Sequence, residues 1–394
     1  MSTITINTKS FSLALKRATK FLSKRNTLPI LGTVHLTKVG DVCTIQSNNL
    51  DNLFTTQFEA TGDDTDICLT NVKGVFQNIS KTKVPTFSLE TTNDYHAILM
   101  IGNQRMIVNT LDSADFPVSF RGEQNQTREY PLTKEDIQEI ITSYSHVKCA
   151  LSDDDARPIL TGVHFDGEGM MGAADGFQLA LTEYGTKFPK FTCSPSLLEN
   201  LDWFSGQEAY LDLYGDVTNP GTIACIRNNT MQLWAECPIG DYPNLRQIVP
   251  TDRMEKDHEA YYVSKREMVE GLTSLLQAIP NGNMVCKFDK GVLSMHSEEG
   301  GDALYSLSGA GENYGAIVYA FNVKFMLKLF KTFVQTDKAL IHIFAPATPI
   351  YITEDPEQSL ISGLALLMPM HLENPDPPKD DKQPYADNND GQPY

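Results

Sequence analysis

The chain has 394 residues and a formal net charge of −18, with 41% apolar and 21% charged residues. This composition excludes wholesale disorder, and the length predicts roughly two to four domains. The longest apolar run, residues 360–370, is too short to cross a bilayer as a helix. Seven scattered cysteines without CxxC spacing indicate neither a disulfide framework nor a cysteine zinc site, and we expect a cytoplasmic protein.

The charge is distributed unevenly along the chain. Residues 1–128 carry a net charge of +2, residues 129–250 carry −11, residues 251–372 carry −5 and residues 373–394 carry −4. Seven lysines and arginines precede the first acid, Asp41. The acidic average argues against a conventional basic nucleic-acid binder, whereas the local excess of cations at the start does not.

Three amphipathic helices are predicted at nearly equal intervals. They start at Thr8-Lys9, Thr133-Lys134 and Ser264-Lys265, and the lysines are 125 and 131 residues apart. Each has apolar residues at i, i+3, i+4 and i+7, and a hydroxyl residue where an N-cap belongs. Spacing of this kind indicates one unit repeated three times.

A second helix is predicted in each unit, starting near Asn71, Ser194 and Asn322. Short strands punctuated by Gly, Asn and Asp lie between the helices, and the first two units close on acidic-aromatic-proline turns at 115–117 and 241–243. The pattern predicts an α+β fold of three tandem domains, each with two helices packed on antiparallel sheet. We expect domains at 1–128, 129–250 and 251–372, followed by a disordered acidic, proline-rich tail at 373–394.

Several local motifs occur in a fixed order within these units. They are NTLPILG at 26–32, TLDSADFP at 110–117, LTG at 160–162, ADGFQLA at 174–180 and LMPMHL at 367–372. Together with the threefold repeat, they make residues 2–372 resemble the bacterial replicative sliding clamp, the DNA polymerase III beta subunit family. The resemblance implies a head-to-tail homodimeric ring of six domains that encircles duplex DNA without reading its sequence. Its implied partners are the replicative polymerase, an ATP-dependent clamp loader and other clamp-binding replication and repair proteins, with no cofactor, metal or membrane.

Lysines on the polar sides of the predicted helices are candidates for contact with DNA phosphates. A flexible point charge suits a fluctuating contact, although such lysines also occur on ordinary solvated helix faces. The resemblance adds two arginines, and the full candidate set is Lys9, Lys16, Lys20, Arg25, Lys73, Lys81, Arg157, Lys324, Lys328 and Lys331. Because the first helix of the second unit carries Glu135, Asp136, Gln138 and Glu139, we expect the first and third domains to dominate DNA contact.

The resemblance also implies an apolar pocket for partner peptides between the second and third domains. Its residues are Leu160, Ala174, Gly176, Phe177, Leu179, Pro243, Gln247, Ile248, Leu366, Met368, Pro369 and Met370. Ala174, Phe177, Gln247 and His371 depart from the residues usual in the family, which predicts a more apolar rim. The dimer seam is expected at Met106 and Val108 on one side and Leu276 and Ile279 on the other.

No P-loop, HExxH or GxSxG motif is present, and the eight histidines show no ligand spacing. The glycine spacing GxGxxG occurs once, at 167–172. We therefore expect a binding protein and no catalytic residues. The alternative is a metal-dependent enzyme of nucleic-acid metabolism that uses the acidic cluster 153–155. The threefold helix repeat favours the clamp, since an enzyme would concentrate its unusual residues in one copy.

Overall fold

The computed structural model describes residues 2–23, 28–92, 94–120, 126–185, 188–215, 220–249, 259–278, 283–289, 292–296, 302–306, 317–344, 348–359 and 362–370. The tail predicted at 373–394 lies outside these residues. The helices are α1 Thr8–Ala18, α2 Val72–Ile79, α3 Lys134–Val147, α4 Pro195–Leu198, α5 Leu245–Ile248, α6 Lys265–Ala278 and α7 Val323–Thr332. Both predicted sets of helix starts are confirmed to within one residue.

Twenty-four strands occupy most of the remaining described chain. The first unit contains β1 Thr3–Asn7, β2 Val34–Val39, β3 Val42–Asn48, β4 Asn52–Gly62, β5 Thr65–Leu69, β6 Thr86–Thr91, β7 His96–Ile101 and β8 Gln104–Leu111. The second contains β9 Gln126–Leu132, β10 Val163–Asp166, β11 Met170–Ala174, β12 Gln178–Glu183, β13 Lys190–Cys193, β14 Ala209–Gly215, β15 Pro220–Arg227 and β16 Met231–Glu236. The third contains β17 Glu259–Ser264, β18 Asn283–Asp289, β19 Val292–His296, β20 Asp302–Ser306, β21 Ile317–Asn322, β22 Lys338–Ile343, β23 Ile350–Glu354 and β24 Gly363–Leu367.

The strands form three antiparallel sheets, which confirms the predicted α+β class. The sheet orders are β1-β6-β7-β8-β5-β2-β3-β4-β16-β15-β14-β9, then β13-β10-β11-β12-β24-β23-β22-β17, and β20-β19-β18-β21. Two of these sheets run from one unit into the next. The first and second units are joined by β4 and β16, with Leu53 opposite Trp234, and the second and third by β12 and β24, with Leu179 opposite Leu366.

The helices pack in pairs on these sheets, α1 beside α2, α3 beside α4, and α6 beside α7. Each of the longer helices buries its predicted apolar stripe, as Phe11 and Leu15 of α1 and Met326 and Leu329 of α7 illustrate. Full burial of side chains of this size stabilises the fold by about 1.5–3 kcal/mol each. The opposite sides of these helices stay exposed and carry the polar residues.

Paired aromatic contacts show how closely the second unit repeats the first. Phe116, in the turn that closes the first unit, packs on His35 of β2 with ring centroids 4.9 Å apart. Tyr242, in the turn that closes the second unit, stacks on His164 of β10 at 4.5 Å and 7°. The two acidic-aromatic-proline turns predicted from sequence therefore hold equivalent strands in the two units.

Candidate partner pocket and nucleic-acid interface

An apolar cluster lies where the second and third units meet. Leu179 of β12 and Leu366 of β24 pack there with Leu160 and Ala174, and each of the four is at most 8% exposed. These are four of the twelve residues predicted to form the pocket. They make a continuous buried floor because antiparallel pairing sets side chains of β12 and β24 side by side on one sheet face.

Exposed apolar side chains border this buried floor. Phe177 is 57% exposed, Met368 43%, Ile248 41% and Met370 40%. The Met368 backbone N–H donates to the Phe177 carbonyl oxygen at 2.8 Å, so the two residues are fixed next to each other. The remaining predicted pocket residues that border solvent are Gly176, Pro243, Gln247 and, less exposed, Pro369. The pocket thus has a buried floor and an apolar rim open to solvent.

An aromatic stack crosses this rim. The ring of Phe177 lies parallel to that of Phe325 on α7, with centroids 5.7 Å apart and an interplanar angle of 19°. Phe325 belongs to the third unit, so the stack links the second and third units beside the pocket. Such a pair contributes about 0.5–1.5 kcal/mol beyond its buried area. Phe325 is not among the pocket residues predicted from the sequence.

The turn before β12 sets the position of Phe177. One Asp175 carboxylate oxygen accepts hydrogen bonds from the backbone N–H groups of Phe177 at 2.8 Å and Gln178 at 2.9 Å. Gly176 has φ +98°, a conformation that side chains with a Cβ rarely adopt. A Cβ added there would also lie 3.1 Å from Nη1 of Arg157. The glycine is therefore required by the positive φ of the turn, whereas the half-exposed Arg157 side chain could move aside for a Cβ.

Arg157, a candidate DNA contact, thus lies beside the pocket turn. Its Nε donates to Asp154 Oδ2 at 3.3 Å, and both side chains are about half exposed. An exposed pair of this kind adds at most about 1 kcal/mol of stability. Arg157 therefore borders the candidate pocket, and its contact with DNA stays a prediction.

The candidate DNA-contacting lysines lie on the exposed sides of the paired helices, except Lys81, which follows α2. Lys9, Lys16, Lys73, Lys81, Lys324 and Lys331 are exposed, and Lys328 is half-buried. They belong to the first and third units, as predicted, and their roles stay predictions. In the second unit, Asp136 caps α3 and Glu139 accepts a hydrogen bond from the Gly185 N–H, so part of its acidity serves local structure. Arg25 lies outside the described residues.

Lys20 has a different environment from the other candidates. Its Nζ donates to Asn200 Oδ1 at 2.7 Å and lies 4.8 Å from the ring centroid of Trp203. The guanidinium carbon of Arg17 lies 5.2 Å from the same ring. Both cations therefore bind the second unit through cation–π contacts, and Lys20 is less available to phosphates than Lys9 or Lys16.

Strand β8 offers an open edge at the predicted dimer seam. One edge pairs with β7, while on the other side β5 reaches only Thr110 and Leu111. Ile107 is 54% exposed, Met106 is partly buried, and Val108 is only 3% exposed because it faces the core of its own unit. On the opposite side of the predicted seam, Leu276 of α6 is partly buried, and Ile279 lies outside the described residues.

Comparison with known proteins shows what the chain as a whole is similar to. Residues 2–119 match the family model of the DNA polymerase III beta subunit, N-terminal domain. The beta sliding clamp of Streptococcus pneumoniae serotype 4 (strain ATCC BAA-334 / TIGR4) is 22% identical over 364 residues, which cover 87% of this chain and 93% of the relative.

Solved structures match the chain over nearly its whole length. The Caulobacter crescentus beta sliding clamp is similar with a TM-score of 0.78 at 18% identity, over 94% of this chain and 99% of that one. The DNA polymerase III subunit beta of Pseudomonas aeruginosa gives a TM-score of 0.76 at 14% identity, over 94% of this chain and 100% of that one. This chain has the sliding-clamp fold. The resemblance predicted from the sequence motifs is thereby confirmed.

Within the clamp fold, Tyr242 packs in the same apolar cluster as the floor of the candidate pocket, although the predicted pocket set did not include it. Its hydroxyl oxygen accepts a hydrogen bond from the Ala174 N–H at 2.9 Å, which ties the pocket floor to the turn that closes the second unit. The ring it stacks on, His164, has its pKa lowered to about 4, first by burial and then by Lys190, so this histidine is neutral at physiological pH. The repeated turn motif was the available signal.

A cavity of about 260 Å³ lies along β12 and β24 next to the candidate pocket. Leu181 and Leu364, which belong to the same apolar cluster as the pocket floor, line it together with Met170 and Val249. No sequence motif indicated this cavity. It arises because side chains two residues apart on a strand share one face of the sheet.

The alternative of a metal-dependent enzyme finds no support. Asp154 accepts a hydrogen bond from the Ala156 N–H at 2.9 Å and pairs with Arg157, which accounts for one acid of the 153–155 cluster as a turn-forming residue. Among the described residues, no group of three or more His, Cys, Asp or Glu side chains could hold a metal ion. None of the helices in the described part of the chain is both long and apolar enough to span a membrane.

Proposed function

We propose that this chain is a DNA-encircling sliding clamp, a processivity factor without catalysis. Two copies close head to tail into a ring around duplex DNA, and the ring tethers the replicative polymerase to its template. The observation that carries the proposal is the extent of the clamp fold, which covers 94% of the chain and includes all three helix pairs. A protein that shared only the N-terminal domain would not supply the surfaces needed to close a ring.

The distribution of charge supports a threaded duplex. The chain carries a net charge of −18, yet the exposed sides of α1, α2 and α7 carry lysines. Lysine neutralises phosphates without fixing a register on the bases, as a ring that slides requires. Acidic residues elsewhere repel DNA from the other surfaces of the ring.

The pocket between the second and third units supports a docking role. We propose that it receives a short peptide from the replicative polymerase and from other replication and repair proteins in turn. Met368 and Met370 suit this use because a methionine side chain adapts to differently shaped partners. The chain has no P-loop, so an ATP-dependent loader must open the ring. We place the protein in the cytoplasm, at the nucleoid.

Retention on DNA tests the ring directly. The purified chain is loaded onto nicked circular plasmid by a bacterial clamp loader and ATP, and the plasmid is then linearised and passed through a sizing column. A ring stays with the circle and slides off the linear form. Equal retention on both forms, or on neither, contradicts the proposal.

The basic helices can be tested in the same assay. The triple variant Lys16→Glu, Lys324→Glu, Lys328→Glu is expected to lose retention on the circle, because each reversal replaces attraction to phosphate by repulsion. Lys20 is left unchanged because it binds Asn200 at the unit junction. The control reverses Lys190, an exposed lysine of β13 outside these helices, and should retain the wild-type behaviour.

A further inference from the structure

A buried histidine–glutamate pair joins the second and third units away from the pocket and the basic helices. His146, on the last turn of α3, has its Nε2 3.2 Å from Oε2 of Glu354, at the end of β23. Both side chains are 4% exposed. A pair of ionisable groups so far from solvent requires a specific set of partners, since burying an uncompensated charge is costly.

The partners of His146 determine its protonation state. Nε2 faces the Glu354 carboxylate, and Nδ1 lies 2.8 Å from the carbonyl oxygen of Thr142. A carbonyl oxygen can only accept, as can an ionised carboxylate, so both ring nitrogens donate. Only the imidazolium cation carries protons on both nitrogens. The amide nitrogen of Gln335 lies farther from Nδ1, at 3.4 Å.

Glu354 is surrounded by donors. Its Oε1 accepts hydrogen bonds from the backbone N–H groups of Gln335 and of Thr336, the latter at 3.1 Å. Its Oε2 accepts from the hydroxyl of Ser359 in addition to His146. This set favours the ionised carboxylate, so the geometry of both residues indicates an ion pair.

The pKa shifts of His146 and Glu354 also indicate an ion pair. Burial lowers the pKa of His146, but the hydrogen bonds to Glu354 and Thr142 and the charge of Glu354 outweigh it and raise the pKa above its ordinary 6.5. Burial raises the pKa of Glu354, but its bonds to His146, Ser359 and Gln335 and the charge of His146 bring the value down to about 2.

Other titratable groups near His146 act less directly. Asp355 is buried beside Glu354 but accepts from the Glu357 N–H at 3.1 Å. The Cys149 thiol bonds the His146 carbonyl oxygen at 3.1 Å, and burial raises its pKa to about 12, which keeps it neutral. Lys328 of α7 faces this thiol, and Lys148 is exposed to solvent. On the side of α7, the His146 ring packs against the ring of Phe333.

We propose that the His146–Glu354 pair is a pH-sensitive clasp between the second and third units, closed when His146 is protonated and weakened when it is neutral. Loss of the proton removes the Coulomb attraction and leaves one ring nitrogen facing an acceptor without a hydrogen. Either the Glu354 carboxylate or the Thr142 carbonyl oxygen then loses its hydrogen bond from the ring. The proposal goes beyond clamp function and does not depend on it.

The direction of the pH dependence follows from linkage. Because the pKa of His146 is raised in the folded chain, its contribution to stability is complete below 6.5 and is lost as the pH rises through the raised value. Because the pKa of Glu354 is lowered, its contribution is complete above 4.5 and is lost as the pH falls through about 2. The clasp is therefore strongest between pH 4.5 and 6.5 and weakens on the alkaline side, by up to about tenfold per pH unit between the two pKa values of His146.

The test uses the full chain and the variant His146→Gln, which retains a donor to Glu354 but does not titrate. Nuclear magnetic resonance of the histidine Cε1 protons identifies His146 as the signal missing from the variant. We expect that signal to titrate above pH 6.5 in the unaltered chain. The melting temperature of the unaltered chain should fall between pH 6.5 and 8.5 by more than that of the variant.

Two further variants serve as a control and as a substitute for His146→Gln. His164→Gln removes another buried histidine of the same unit and should keep the full alkaline fall in melting temperature. Should His146→Gln not fold, Glu354→Gln leaves His146 in place and should shift its titration to a lower pH. A His146 signal that titrates at or below 6.5, or an equal alkaline fall in the unaltered chain and His146→Gln, overturns the proposal.

Discussion

At the scale of single residues, Met368 combines a fixed backbone with an exposed side chain. Its N–H is bonded to the Phe177 carbonyl oxygen, while its side chain is 43% exposed beside a buried apolar floor. An apolar side chain held in this way can lose its remaining water to a partner without reordering the backbone. It is therefore a strong candidate for an energetic centre of peptide binding.

We predict that Met368→Ala weakens binding of a polymerase-derived clamp-binding peptide by about tenfold or more, the loss typical of a central interface residue. Fluorescence anisotropy with a labelled peptide measures the dissociation constant. Val39→Ala removes a side chain that is 70% exposed on β2 of the first unit and should leave affinity unchanged. Equal affinity for Met368→Ala and the unaltered chain contradicts a pocket at this position.

The motifs that carry the family resemblance include residues of the candidate pocket floor, and those residues also determine the local fold. Leu179 and Leu366 are strand residues with inward-facing positions, and a strand pattern is readable from sequence. Phe325 and Lys20 could not be assigned in the same way. Their contacts, with Phe177 and Trp203, join residues more than 140 positions apart, and neither local periodicity nor charge patterning encodes such a distance.

At the scale of secondary-structure elements, helix starts were predictable but one cap was assigned incorrectly. Thr133 caps α3 as expected, and with Asp136 it forms a capping box. For α1, however, the cap is Asn7, whose Oδ1 accepts from the N–H groups of Lys9 at 3.0 Å and Ser10 at 3.1 Å. Thr8 follows the cap, is buried, and its hydroxyl has no hydrogen-bond partner among the described residues. Asparagine and threonine are both good caps, so adjacent candidates cannot be separated by residue type.

Because Asn7 and not Thr8 caps α1, substitutions at these two positions should change the free energy of unfolding by different amounts. Asn7→Ala should lower the free energy of unfolding by about 1 kcal/mol, because it removes the acceptor for two backbone donors. Thr8→Ala should change it by less, since it removes a buried hydroxyl that makes no bond. Urea denaturation followed by circular dichroism measures both. A larger loss of unfolding free energy for Thr8→Ala than for Asn7→Ala would indicate that Thr8 is the N-cap of α1.

At the scale of the whole molecule, the sequence predicted the threefold repeat but not how the units join. The repeat was readable because each unit carries its own helix starts and the first two units carry matching closing turns. The joins, β4 with β16 and β12 with β24, are pairings of edge strands. Strand pairing depends on backbone groups that every residue carries, so composition does not specify which edges meet. The same reasoning applies to β8, which is only partly paired on the side of β5.

The open edge of β8 leads to a prediction about assembly. A head-to-tail dimer needs a surface that pairs with a different surface of its partner, and the unpaired edge with exposed Ile107 supplies one. We expect the unaltered chain to have a mass in solution near twice 43.8 kDa by light scattering. Ile107→Asp should shift it toward the monomer, because the interface would then bury an unpaired charge. Val39→Asp places the same charge on a different exposed strand and should leave the dimer intact; a dimer that survives Ile107→Asp equally well would place the seam elsewhere.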